Sequence, residues 1–152
     1  MQYHQHIAVI LVAAQFILAA AIFLSTPWLD GPVGATGFAA VGLLLAGSLL
    51  AVSAWWVMGH KQLRVLPYPA AEAQLLRHGP YGWIRHPMYA GLLLAALGCC
   101  LWDSNLLRGC LWLGLLVVLL WKTGIEEKLL IVKFADYAEY RKQTWRFIPG
   151  LW

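Results

Sequence analysis

The sequence predicts an all-α, polytopic membrane protein with about four transmembrane helices and its chemically rich segments on the cytoplasmic face. Composition predicts the membrane: 61% of the 152 residues are hydrophobic and only 12% are charged, where a soluble domain carries about 25% charged residues. Apolar runs long enough to cross a bilayer predict the helices. The distribution of Lys and Arg predicts the orientation. This composition excludes disorder, collagen and coiled coil, and so little charge cannot cover the surface of a soluble enzyme.

Residues 7–24 form the first span, an uncharged apolar run with no Lys or Arg before it, unlike a signal peptide. Residues 25–36 (STPWLDGPVGAT) are a Pro/Gly loop. Residues 37–58 form the second span, with Trp55 and Trp56 suited to an interface. Residues 60–86 differ in kind: Lys61, Arg64, Arg77 and Arg85 stand among prolines and glycines that break any long helix. Residues 87–102 form a short third span, 103–105 a polar turn and 106–121 a fourth span, whose helical pattern continues into polar sequence as far as Phe134. A short fifth helix is expected over 136–143. The chain reads as one membrane domain, 1–152, with two generic spans in 1–59 and the chemistry in 60–152.

An even number of spans puts both termini on one side. Of the eleven Lys and Arg residues only Arg108 lies on the short loops 25–36 and 103–108. The rest lie in 60–86 or after Trp121, so the termini, that loop and the tail are expected in the cytoplasm. Net charge is +4, and this bias accounts for it without nucleic acid as a partner. Cys99, Cys100 and Cys110 sit in apolar segments with no metal-ligand spacing, so they read as packing residues and no metal is expected.

Residues 78–91 read HGPYGWIRHPMYAG. Gly79, Pro80 and Gly82 bend the backbone. Pro87 suits the first turn of a helix and pushes His86 toward an extended conformation. The free N–H groups of that helix start, with Arg85 and His86, would make an anion site. The plainer reading makes Arg85 a lipid-phosphate anchor and Tyr81 and Tyr89 interface aromatics. On the fourth helix Glu126 shares a stripe with Lys122 and Lys133, a solvated or ion-paired face. Glu127 shares its stripe with Thr123, Gly124, Leu130, Ile131 and Phe134, so it is the inward glutamate and needs a partner: a bound cation, Arg85 or Arg141. In the tail, Tyr137, Tyr140 and Arg141 form one aromatic and cationic face, either lying on the membrane or closing over a pocket.

Four elements in order, GPYGWIRHPMYAG at 79–91, the pair Glu126 and Glu127, FADYAEYR at 134–141 and RFIPG at 146–150, resemble the isoprenylcysteine carboxyl methyltransferase and phospholipid methyltransferase group of integral membrane enzymes. The resemblance implies S-adenosylmethionine bound at the cytoplasmic face. It assigns His78, Gly79, Pro80, Tyr81, His86, Pro87, Tyr89 and Gly91 to one wall of that site and Glu126 and Glu127 to the other. It implies a lipophilic methyl acceptor arriving from the bilayer, met by Arg85, Tyr137, Tyr140 and Arg141. Arg85 or Arg141 would hold a carboxylate acceptor, and Glu127 or His78 would serve as base for an amine or phenol. A plasma or inner membrane of a prokaryote is expected. Two alternatives differ in their motifs. A sterol-reductase type of enzyme would carry RHxNY followed by an acidic residue, where RHPMYAG stands here. A non-enzymatic membrane scaffold would use the charged elements only as anchors.

Overall fold

The computed structural model describes residues 2–31, 34–62 and 74–151. Arg64 and the first half of the long loop lie outside the described residues. Five helices follow in order: α1 (Gln2–Leu24), α2 (Gly34–Gln62), α3 (Pro87–Leu101), α4 (Leu106–Lys133) and α5 (Tyr137–Gln143), with 3-10 turns at Trp28–Asp30 and Gly79–Gly82. Among the described residues there are no strands beyond isolated bridges, Ile84 with Trp145 and Ile148 with Leu151.

Three helices are long and apolar enough to cross a membrane, within His6–Asp30, Thr36–Gly59 and Leu106–Lys133. α3 has 15 residues, about 22 Å of helix, against about 30 Å of bilayer hydrocarbon. It is the short apolar member of the bundle. In α1 the residues Ala8, Leu11, Gln15 and Ile22 are buried, while Val9, Ile10, Phe16 and Ile17 are exposed. The exposed face is as apolar as the buried one, as lipid requires and water would not. Little of α2 is buried and its exposed side is likewise apolar, and its helical geometry breaks at Gly59, at φ 67°.

α2 and α3 are held together by small residues. A Cβ added to Gly47 would lie 2.5 Å from the backbone of Ala95 and Gly91, and one added to Gly98 would lie 2.7 Å from the Ala40 carbonyl. Without a hydrophobic drive between helices in lipid, such close backbone approach supplies the packing. α1 lies along α4, and Ile22, Leu93, Ala96, Cys99, Leu115 and Leu119 fill the core between the helices.

The two ends of the bundle differ in character. At one end the loops are short and locked. Asn105 caps α4 by accepting from Leu107 N–H at 2.9 Å. Arg108 donates to the Ser25 carbonyl at 2.6 Å and the Cys99 carbonyl at 3.2 Å, and pairs with Asp103. Trp102, expected in the third span, lies just past α3 and donates to the Pro27 carbonyl at 3.2 Å. The opposite end carries the N-terminus of α3, the C-terminal turns of α2 and α4, the residues 74–86 and the tail.

Candidate active site

The site end is built by pairing two segments that are distant in the chain. His78 is extended, Gly79 takes φ 58° and Pro80 opens a 3-10 turn. A Cβ on Gly79 would lie 2.9 Å from Val57, so the glycine lets the turn sit against α2. His86, at φ −124° and ψ 60°, lies outside the helical region as a residue before proline must, and Pro87 starts α3. The tail then runs beside this segment. Arg85 N–H donates to the Trp145 carbonyl at 2.8 Å, Trp145 N–H to Trp83 at 3.0 Å and His86 N–H to Arg146 at 3.2 Å.

This pairing changes the reading of the helix start. Pro87 has no N–H, Tyr89 N–H donates to the His86 carbonyl at 3.1 Å, and the N–H groups of Arg85 and His86 are spent on the tail. The anion cradle expected there from the N–H groups is therefore largely occupied by the protein's own carbonyls.

The two adjacent glutamates of α4 lie at this end and do different things. Glu127 is 3% exposed, inward as its stripe suggested. It accepts from Arg85 Nε at 2.9 Å and from Arg146 at 3.1 and 3.3 Å, with Arg141 Nε at 3.7 Å. Arg85 also donates to the Arg141 carbonyl at 3.0 Å and to the Thr144 carbonyl. The sequence offers Arg85 and Arg141 as partners of Glu127, beside the acceptor contact and the base that the resemblance implies. Here the guanidinium and the carboxylate bind each other and tie α4 to the loop and the tail. Arg146 was noted only as part of the RFIPG run. Its role as a partner of Glu127 has no local signal, because the two residues meet only after the tail folds back.

Glu126 is half-buried and belongs to a second group. It accepts from the Tyr89 hydroxyl at 2.7 Å, and His86 Nδ1 lies 3.4 Å away. The His86 ring stacks on Tyr89 at 5.7 Å and meets Phe147 edge-on at 6.1 Å. Its Nε2 stands 3.4 Å from Glu127 yet makes no hydrogen bond among the described residues. Burial alone would lower the His86 pKa, but the two glutamates beside it outweigh burial and raise it.

The remaining residues expected at the site are distributed as follows. Tyr81 and Tyr137 are buried, with hydroxyls that have no partner among the described residues. Tyr140 donates to the Tyr81 carbonyl at 2.6 Å, and burial pushes its pKa up to about 12. Burial likewise raises the phenols of Tyr81 and Tyr137, so all three stay protonated donors. The expected face of Tyr137, Tyr140 and Arg141 is thus split: the tyrosines point inward and Arg141 stays exposed. The tail packs back on the loop: Tyr140 bonds the Tyr81 carbonyl, and Arg77 pairs with Asp136. His78 is exposed. Pro80 accepts at its carbonyl from Trp83 and Ile84 at 3.2 and 3.0 Å. Gly91 faces α2, where a Cβ would lie 2.5 Å from the Gly47 carbonyl, so helix packing alone requires its glycine.

Lys122 corrects the solvated-face reading of α4. It is 2% exposed, its Nζ donates to Gln15 Oε1 at 2.8 Å, and it lies 4.9 Å from the centre of the Tyr89 ring. A helical stripe shared with charged residues misreads it because its burial is set by α1, more than a hundred residues away in the chain. Among the described residues no group of three His, Cys, Asp or Glu stands close enough to hold a metal ion.

The profile of the phospholipid methyltransferase family matches residues 35–136, from α2 to the start of α5. The protein-S-isoprenylcysteine O-methyltransferase of Saccharomyces cerevisiae is 32% identical over 114 residues, covering 70% of this chain and 46% of the yeast protein. The cobalt-zinc-cadmium resistance protein CzcN of Cupriavidus metallidurans is 30% identical over 146 residues, covering 92% of this chain and 62% of that protein. This chain thus spans between about half and two thirds of the length of these relatives. The matched segment contains the loop and the glutamate pair, the tail follows it, and the chain belongs to the phospholipid methyltransferase family.

Proposed function

We propose that the protein is a methyltransferase that moves a methyl group from S-adenosylmethionine to a lipophilic acceptor held in the bilayer. One observation carries the reading. Tyr89 and His86 from the RHPMY segment and Glu126 from α4 form a single part-buried polar group, with the Tyr89–Glu126 bond at 2.7 Å. Family membership supports the same chemistry, and the yeast relative is named for O-methyl transfer.

The residues present fit such a donor. The Tyr81 and Tyr137 hydroxyls and His86 Nε2 are buried polar atoms with no hydrogen-bond partner among the described residues, a costly state that a polar ligand relieves. When bound, S-adenosylmethionine supplies an electrophilic methyl on a sulfonium. Glu126 would hold the α-ammonium in exchange for its bond from Tyr89, because Glu127 is consumed by two guanidiniums. Arg141, at the exposed rim, would hold the carboxylate.

Arg85, Glu127 and Arg146 act as positioning residues. They clamp the tail over α3 and α4, exclude water from the polar group and fix its orientation. A carboxylate already bound by two guanidiniums is a poor proton acceptor. The reading therefore favours an acceptor that needs no deprotonation, such as a carboxylate, over an amine or alcohol. We place this end of the bundle in the cytoplasm, where the donor is made, on the strength of the Lys and Arg distribution.

Calorimetric titration of detergent-purified protein tests the reading, with S-adenosylhomocysteine as ligand and NADPH as control. Saturable binding of S-adenosylhomocysteine alone is expected, weakened about tenfold or more in Glu126→Gln, a loss of about 1.4 kcal/mol. Binding of NADPH alone, or of neither ligand to protein shown to be helical and monodisperse, would overturn it.

A further inference from the structure

We propose that Lys122, with Gln15 beside it, forms a second polar subsite inside the bilayer span that takes the anionic group, carboxylate or phosphate, of a single-chain amphiphile. The inference rests on the methyl-transfer reading only in calling that amphiphile the acceptor.

The argument begins with a charge that packing does not explain. Lys122 lies in the apolar span of α4 and is 2% exposed. An ammonium at that depth is expensive, and membrane proteins keep one where it pairs with another group or serves a pathway or ligand. The direct contacts of Lys122 are neutral, the Gln15 amide oxygen at 2.8 Å and the face of Tyr89 at 4.9 Å, and the Glu126 carboxylate acts on it only through space. Among the described residues no carboxylate lies within ion-pair distance of it. Glu126, one turn further along the helix, is engaged by the Tyr89 hydroxyl and His86. An ammonium has three donors, and one of them is used by Gln15.

The position suits a ligand that comes from lipid. Lys122 is about 6 Å deeper along α4 than Glu126, one helical turn, and it sits where α1, α3 and α4 meet. Gln15 is an exchangeable partner, a neutral oxygen that an incoming anion replaces with a charged one, which binds an ammonium more strongly. The Tyr89 ring links the two levels. Its face lies against Lys122 and its hydroxyl bonds Glu126. An anion on Lys122 would therefore stand one helical turn from the group proposed to hold the donor.

The test uses the full chain in dodecyl maltoside and three ligands with one chain length: hexadecanoate, hexadecyl phosphate and the neutral hexadecanamide. Binding is read by native mass spectrometry. Wild-type protein is expected to bind at least one of the anions tenfold or more tighter than the amide, and the ratio between the two anions identifies the source. Lys122→Met is expected to abolish that preference. Gln15→Glu places a fixed carboxylate against Lys122, so it is expected to abolish the preference as well while raising the melting temperature; it decides the matter if Lys122→Met does not fold. No preference in the wild type, or a preference that survives Gln15→Glu, overturns the subsite. S-adenosylhomocysteine is titrated in parallel. A preference for anions without its binding keeps the subsite and removes the methyl-transfer reading, and the reverse result removes the subsite alone.

Discussion

At the residue scale, the two adjacent glutamates separate stability from binding. Glu127 is the counter-charge for Arg85 and Arg146, all three buried. Removing one member of a buried pair strands the others, at a cost of about 3–5 kcal/mol. Glu127→Gln is therefore expected to lower the melting temperature in detergent sharply, whereas Glu126→Gln leaves it within a few degrees and instead weakens S-adenosylhomocysteine. Equal thermal losses in the two variants would contradict this division. His86 adds a pH dependence. Its pKa is raised in the folded protein above the ordinary 6.5, so its contribution is complete below that value and disappears as pH rises through the raised one. Melting temperature should fall as pH rises above about 6.5 more steeply in the wild type than in His86→Gln; parallel curves would show that the imidazolium is not the source. The inward aim of Glu127 is legible from its stripe of small and apolar neighbours. Its partnership with Arg146 is not, since no local pattern reports which distant cation returns to a buried carboxylate.

At the scale of elements, the four apolar helices are legible because lipid imposes a simple rule: an uncharged run of sufficient length must satisfy its backbone internally. The ends are less legible. α2 begins at Gly34 and extends to Gln62 across a break at Gly59, where the apolar run suggests 37–58. The α2–α3 contact is legible only in part, because glycine in a membrane helix marks either a close approach or an exposed position. Gly47, Gly91 and Gly98 meet backbone atoms, whereas Gly124 on α4 meets nothing within 4 Å. Gly91→Ala is expected to destabilise by about 1–3 kcal/mol through overpacking. Gly124→Ala is expected to be neutral or to stabilise by up to about 1 kcal/mol through helix propensity. Melting curves of the two single variants check this, and a Gly91→Ala protein as stable as the wild type would mean that the helices do not approach as closely as described.

At the scale of the whole molecule, the asymmetry between the ends of the bundle connects fold to function. One end is closed by short loops tied down by Arg108, Trp102 and Asn105, and little chemistry is exposed there. The other collects the loop, the glutamates and the tail, with ten of the eleven Lys and Arg residues in the segments that lead to it. The positive-inside rule expects such an end on the side of synthesis, and the proposed reaction requires a water-soluble donor to reach it while the acceptor stays in lipid. Orientation is therefore a condition of the proposed reaction. It is tested by replacing Cys99, Cys100 and Cys110 with alanine and placing single cysteines at Asp30, Asp103 and His78, all exposed positions. In right-side-out vesicles a membrane-impermeant maleimide is expected to label the cysteines at 30 and 103 and to spare the one at 78. Inverted vesicles should give the opposite pattern. If the cysteine at 78 were labelled from outside, the polar group around Glu126 would face away from the cytoplasmic donor pool, and the proposed methyl transfer would lose its supply of methyl groups whatever the affinity of the purified protein.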